Sequence, residues 1–239
     1  MRPYAGSTMN EPTASADTRP WSHEIPDGPW DAIVIGSGMG GMTTAAVLAK
    51  LGKRVLVLEQ HVIPGGFTQA FKRPGYHWDV GVHIVGEMTN RSFAGRLLTE
   101  LTQGELQWQS VGPIYDEFHF PDGFTIQFPD SPEAFRETLI DHFPEQRAGI
   151  DEYLALVRTV SRASGQNLQM RALPRYLAPG GRRKPAESAE HYFGATTQSV
   201  LESLVTEPHL SSVLAAQWGY YGVPPSRSSV ARRALMVQH

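Results

Sequence analysis

The chain of 239 residues contains no cysteine. This absence excludes disulfide bonds, zinc sites built on thiolates and a cysteine nucleophile, and it is consistent with a reducing compartment. The chain also lacks a strong excess of charge of one sign, since 19% of the residues are charged and the formal net charge at pH 7 is -3. Such a chain offers no excess of positive charge to nucleic acid or to an anionic membrane surface. We therefore expect no nucleic-acid partner.

Two segments lack the features of membrane or secretory sequences. Residues 1–29 have no periodic apolar face and are rich in Pro, Ser, Thr and Ala, which predicts a disordered leader and not a secretory signal. Residues 32–49 carry no charge, but glycines, a serine and threonines interrupt them, which favours a buried strand and helix over a membrane span. We expect a cytoplasmic protein and leave association with a membrane open.

A strand–helix–strand pattern surrounds the sequence GSGMGG at residues 36–41. Residues 31–35 and 54–58 are short, apolar and β-branched, as in strands buried on both faces. Residues 42–51 favour a helix, and Gly52 stands where a helix commonly ends on a glycine. In this context the spacing G-x-G-x-x-G predicts a dinucleotide site more strongly than a glycine-rich turn without a ligand.

Each glycine of the motif has a physical role. Gly36 permits the tight turn, Gly38 lets the backbone approach a pyrophosphate, and Gly41 lets the helix pack close to the strand. Glu59 ends the second strand, where its carboxylate can accept hydrogen bonds from the ribose of an adenosine. A 2′-phosphate would be repelled there, which disfavours NADP at this first site. NAD and FAD share the ADP half, so these residues do not distinguish them.

The segment after Glu59 continues with a glycine doublet, Gly65-Gly66, which lets the backbone pass close to a cofactor. The sequences LEQHVIPGGF, DVGVHIVG and GYYGVPPSRSSVARRALMVQH resemble the FAD-dependent oxidoreductases of carotenoids and retinoids, a family of phytoene desaturases, carotenoid isomerases and retinol saturases. The resemblance runs from about Asp31 to the C-terminus. Ile63 and Phe67 replace the arginines that often flank the doublet in amine oxidases, which weakens an amine oxidase assignment.

The resemblance implies FAD as the cofactor and a reaction at a carbon–carbon bond of an isoprenoid such as a carotenoid or retinoid, by desaturation, saturation or isomerisation. It implies an apolar small-molecule substrate, with NAD(P)H as a candidate electron donor and peripheral membrane contact left open. No catalytic residue and no metal ligand is assigned. The predicted cofactor-binding residues are Gly36, Ser37, Gly38, Met39, Gly40, Gly41, Glu59, Gln60, Gly65, Gly66 and Phe67.

The fold class that we expect is α/β, a Rossmann-like FAD-binding domain with an inserted α+β substrate domain. The predicted boundaries are a disordered leader at 1–29, the βαβ domain for the ADP half of FAD at 30–95 and a partial substrate domain at 96–239. Members of the family are longer than this chain. The resemblance therefore implies an N-terminal portion of the enzyme, with its C-terminal part missing.

Residues 76–85 alternate as a strand that would place His77, Asp79 and His83 on one face. The two histidines would stand about 20 Å apart along an extended chain, which disfavours a non-haem iron site. We expect Asp79 and His83 to line or brace the flavin pocket. A structural role for His83 is favoured over a role as general acid.

Further elements follow from the turn signals, caps and apolar periodicity of the second half. They are a hairpin at 117–128, a helix that opens at Ser131, an amphipathic helix at 145–163, a Pro/Gly/basic loop at 173–186 and a helix at 199–218.

Two alternative functions stay open at this point. One is an NAD-dependent dehydrogenase, against which the doublet argues. The other is an inactive truncated fragment that binds nucleotide. The substrate, the direction of the reaction, the catalytic acid or base, the completeness of the chain and its oligomeric state are left undetermined by the sequence.

Overall fold

The computed structural model describes residues 22–86, 88–172 and 187–237. The chain divides into two compact units, Met1–Val85 with Arg96–Glu105 and Gly86–Gly95 with Leu106–His239. Most of the predicted leader and the whole of the predicted loop at 173–186 lie outside the described residues. The predicted domain boundaries stay a prediction.

The first unit contains the predicted strand–helix–strand arrangement. Strand β1 (Ala32–Ile35) pairs in parallel with β2 (Val55–Leu58), and helix α1 (Met39–Lys50) connects them. The helix begins earlier than residue 42 because Gly38, in an extended conformation, already serves as its N-cap. Gly52 follows the helix with a φ of +76°, a conformation that glycine adopts without strain. The Rossmann-like fold is confirmed.

The next strand is shorter than its sequence pattern predicts. Strand β3 (Ala70–Arg73) pairs antiparallel with β4 (Tyr76–Asp79), so the strand predicted for 76–85 stops at Asp79. Its partner β3 begins opposite Asp79, and only the N–H of Val80 still bonds across, to the carbonyl of Gln69 at 3.1 Å. The prediction that His77, Asp79 and His83 share one strand face is therefore wrong.

Helix α2 (Phe93–Leu101) has residues in both units. The second unit contains the predicted hairpin, which is formed by the antiparallel strands β5 (Ile114–His119) and β6 (Thr125–Pro129). The remaining helices are α3 (Pro132–His142), α4 (Arg147–Ala172), α5 (Glu187–Gly194), α6 (Thr197–Leu204), α7 (Pro208–Ala215) and α8 (Val230–Met236). Short 3₁₀ turns occupy Gly66–Thr68, Pro144–Gln146 and Ala216–Tyr221.

One apolar core holds the hairpin against these helices. The Phe128 side chain is fully buried, and its ring lies 4.8 Å from that of Phe118 and 4.9 Å from that of Phe135. Arg233 of α8 is also buried, where it donates to the hydroxyl of Tyr153 and to the side-chain oxygen of Gln217. The core thus joins α3, α4 and α8 to the hairpin.

Two helix predictions for this unit are corrected. The amphipathic helix predicted for 145–163 extends to Ala172 as α4. The single helix predicted for 199–218 is two helices, because Val205 is extended and Pro208, which has no N–H, starts α7 behind an N-cap at Glu207. None of the helices within the described ranges combines the length and apolar character needed to cross a membrane.

Candidate dinucleotide-binding site

The glycine loop joins β1 to the N-terminus of α1 in an open arrangement. Gly36 has a φ of +94°, and its N–H donates to the carbonyl of Leu58 at 2.7 Å, which anchors the turn to β2. A Cβ at Gly38 would meet no atom within 4 Å. The first turn of α1 has neither an acidic residue nor a side-chain cap. The positive end of the helix dipole therefore faces a space that can take an anion such as a pyrophosphate.

Gly41 sets how closely the helix approaches the loop. A Cβ at this position would lie 2.0 Å from the carbonyl oxygen of Gly36 and 3.4 Å from a methyl carbon of Val34. Any side chain here would push α1 away from β1. The close packing that the motif assigns to its third glycine is present in the structure.

The glycine doublet lies directly against the glycine loop. Gly65 and Gly66 have φ values of +118° and +58°, and a Cβ on Gly66 would lie 3.0 Å from the Cα of Gly38. The N–H of Gly65 donates to the Ser37 hydroxyl at 2.9 Å. Two backbone segments that are distant in sequence therefore form one cradle, in which glycines make the close approach and the Ser37 hydroxyl joins the segments.

Glu59 connects the end of β2 to the same loop. One of its oxygens, Oε2, accepts from the Ser37 N–H at 2.7 Å and from the Ser37 hydroxyl at 2.5 Å. The other, Oε1, accepts from the N–H of His61 at 2.8 Å. These bonds, above all the one from the Ser37 side chain, lower the pKa of Glu59 to about 2. The carboxylate is therefore ionised at neutral pH.

The structure gathers most of the predicted cofactor residues around this cradle. The stretch from Gly36 to Gly41 lies with Glu59 and the doublet in the contacts described above. The side chains of Met39, Phe67 and Gln60 are exposed.

The sequence did not reveal that the Ser37 hydroxyl bonds to Glu59 and Gly65. The available signal was that Ser37 is the one residue of GSGMGG with a hydrogen-bonding side chain.

The expectation that Asp79 and His83 line or brace the flavin pocket stays a prediction. The His83 Nδ1 and the Asp79 Oδ2 are 3.9 Å apart, and both side chains are largely exposed. In residues 22–86, 88–172 and 187–237, no group of three or more His, Asp or Glu side chains could hold a metal ion.

A separate cavity of about 700 Å³ lies within the second unit. Residues of α4, α5 and α6 line it, among them Glu152, Leu156, His191 and Val200. The anion-binding features described above belong to the first unit. The candidate cofactor site is therefore the open cradle of backbone loops and not this cavity.

Comparisons with known proteins give matches that include this part of the chain. Residues 34–101 match the NAD(P)-binding Rossmann-like domain family. The all-trans-retinol 13,14-reductase of Homo sapiens is 35% identical over 217 residues, which cover 87% of this chain and 35% of that protein. An inactive all-trans-retinol 13,14-reductase of Danio rerio is 30% identical over 91% of this chain and 37% of its own length. Prolycopene isomerase 1 of an Oncidium hybrid cultivar is 31% identical over 79% of this chain and 33% of its own length.

The fold has a counterpart among solved structures. The cyclohexylamine oxidase of Brevibacterium oxydans IH-35A is similar with a TM-score of 0.54 at 21% identity, over 87% of this chain and 41% of that one. The chain thus spans about a third of the length of the curated relatives that it matches. The resemblance of its motifs to the carotenoid and retinoid oxidoreductase family is confirmed, because a retinol reductase and a prolycopene isomerase are similar to this chain over most of its length.

Proposed function

We propose that this chain supplies the ADP-binding half of an FAD site in an oxidoreductase that acts on carbon–carbon bonds of an isoprenoid such as a carotenoid or retinoid. The observation that carries the proposal is the cradle in which Gly65-Gly66 packs on Gly38. It lies beside the N-terminus of α1, where no side chain caps the helix. A simple NAD-binding unit needs the glycine loop and the acid but not a second glycine turn against that loop. The cradle therefore favours FAD over NAD.

The residues present fit the ADP half of this cofactor. The first turn of α1 would hold the pyrophosphate through its N–H groups, and Gly38 and Gly66 would leave room for it because a Cβ at Gly66 would crowd the loop. Glu59 would accept a hydrogen bond from the adenosine ribose through its ionised carboxylate. Bound FAD would accept or donate a hydride at the isoprenoid carbon.

The names of the relatives support the choice of an isoprenoid. One is a retinol 13,14-reductase and another a prolycopene isomerase, so proteins similar to this chain act on retinoid and carotenoid substrates. We extend this to an apolar small-molecule substrate for the present protein, with NAD(P)H as the electron donor in a reductive reaction. Because such a substrate partitions into lipid, the proposal includes peripheral contact of a cytoplasmic protein with a membrane.

The test separates cofactor binding from turnover. The protein is purified and its absorbance spectrum is recorded. It is then incubated with FAD, NAD(P)H as the electron donor, and all-trans-retinol or prolycopene, and the products are separated by chromatography. We expect a flavin spectrum and a reduced or isomerised product. A flavin spectrum without product would favour a binding protein without activity, as the name of the Danio rerio relative suggests for that protein. A colourless protein that binds NAD and ignores FAD would refute the proposal.

A further inference from the structure

The Ser37 side chain occupies an unusual place for a residue of a phosphate-binding loop. It stands between two glycines, yet only 2% of its surface is exposed, and it points away from the open side of the loop toward β2 and the doublet. The Ser37 N–H also has a partner within the protein, because it donates to Glu59 Oε2 at 2.7 Å. Ser37 therefore has neither a side chain nor an amide available for a phosphate.

The direction of each hydrogen bond at the Ser37 hydroxyl follows from its partners. An ionised carboxylate can only accept, so the hydroxyl donates its one proton to Glu59 Oε2 at 2.5 Å. A backbone N–H can only donate, so the hydroxyl accepts from Gly65 at 2.9 Å. These two contacts span 22 and 28 residues of sequence. One oxygen atom thus links three segments that would surround a nucleotide.

We infer that Ser37 is a positioning residue for nucleotide binding, whose hydroxyl fixes the Glu59 carboxylate and the Gly65 turn against the glycine loop. The inference rests on the proposed function, because it assigns Ser37 to the same ADP site. Without the hydroxyl, the Glu59 carboxylate loses the side-chain bond that holds it and keeps only the N–H groups of Ser37 and His61, so it is held less firmly toward the ribose. The partly buried N–H of Gly65 also loses its acceptor. The Gly65-Gly66 turn and the Glu59 carboxylate would then no longer be fixed relative to each other.

A double-mutant cycle tests whether Ser37 acts through Glu59. The variants are Ser37→Ala, Glu59→Gln and the double substitution, and the probe is ADP in titration calorimetry. We expect Ser37→Ala to weaken ADP binding about tenfold, as one lost charge-assisted contact would. We expect the double variant to lose less affinity than the sum of the two single losses, since Ser37 then has no carboxylate left to position and keeps only its bond from Gly65. Additive losses, or unchanged affinity of Ser37→Ala, would overturn the inference.

A second readout stays valid if Ser37→Ala is partly unfolded. The ratio of the dissociation constants for 2′-phospho-ADP and ADP depends only on the folded molecules, because both ligands report on the same fraction. A fixed Glu59 repels the 2′-phosphate, so we expect this ratio to be large in the unaltered protein and to fall severalfold in Ser37→Ala. An unchanged ratio would show that Ser37 does not position the carboxylate.

The matched control is Thr44→Ala in α1, the helix that follows the glycine loop. The Thr44 hydroxyl is exposed and donates only to the carbonyl of Gly40 at 2.8 Å, so its removal is expected to leave both the ADP affinity and the ratio unchanged.

The experiment distinguishes a wrong role for Ser37 from a wrong assignment of the whole site. If the unaltered protein does not bind ADP or FAD, the proposed site is wrong. If it binds them and Ser37→Ala matches it, only the role of Ser37 is wrong.

Discussion

Replacement of Gly41 by alanine should disrupt the nucleotide site more than any other single methyl group added to the motif. The added Cβ would stand 2.0 Å from the carbonyl oxygen of Gly36, about 1 Å closer than real Cβ atoms approach another heavy atom. The loop cannot retreat freely because Gly36 is itself bonded to the carbonyl of Leu58. Either α1 moves by about 1 Å or the turn rebuilds. Overpacking of this kind costs about 1–3 kcal/mol of the free energy of unfolding.

The neighbouring glycine provides a matched control. A Cβ at Gly40 meets no atom within 4 Å, and Gly40 lies in α1 with an ordinary helical conformation. Gly40→Ala should therefore be neutral or stabilise the protein by up to about 1 kcal/mol, because alanine is the better helix former. Two substitutions of identical chemistry, one residue apart, are thus expected to have opposite signs.

Both variants are assayed by thermal unfolding, followed by circular dichroism, and by titration with ADP. For Gly41→Ala we expect a lower melting temperature and at least a tenfold loss of ADP affinity, since the N–H groups of the first turn shift relative to the doublet. For Gly40→Ala we expect an unchanged or higher melting temperature. Equal melting temperatures and equal affinities for the two variants would refute the close packing of α1 on the loop.

Three further predictions concern the core, a helix cap and pH. Phe128→Ala should lower the free energy of unfolding by about 3–5 kcal/mol in urea titrations, because its ring is fully buried; a loss below about 1 kcal/mol would contradict the core assignment. Ser131→Ala should cost about 0.5–2 kcal/mol in the same assay, since its hydroxyl caps α3 through the N–H of Ala134, and no measurable loss would argue against that cap. The folded-state pKa of Glu59 is depressed to about 2 from an ordinary 4.5. Its contribution to stability should therefore be complete above about pH 4.5 and disappear as the pH falls through 2, and an NMR titration that places this pKa near 4.5 would contradict the hydrogen bonds to Ser37.

The sequence was sufficient to predict the strand–helix–strand arrangement of the first unit because its signals are local. The two apolar strands, the helix between them and the spacing of Gly36, Gly38 and Gly41 all lie within one continuous stretch, and each element is specified by its own residues. The hairpin of β5 and β6 was predictable for the same reason, since the turn at 121–123 stands between two alternating segments.

Other features depend on partners that are distant in sequence. Strand β4 stops at Asp79 because β3 offers no further partner, and the alternating pattern beyond it contains no sign of this. The bonds from Ser37 to Glu59 and to Gly65 cross 22 and 28 residues, so no local pattern reveals them. The break before α7 is different, because Pro208 marks it in the sequence itself. The prediction of one helix over 199–218 gave more weight to the apolar periodicity than to this proline.

The central claim is that the glycine loop, Glu59 and the doublet together hold the ADP half of FAD. The most direct measurement is a crystal structure of the protein bound to FAD. We expect the pyrophosphate within hydrogen-bonding distance of the N–H groups that open α1, the adenosine ribose bonded to Glu59, and the backbone of Gly65-Gly66 against the cofactor. A pyrophosphate bound elsewhere, or a ribose without a contact to Glu59, would contradict the account.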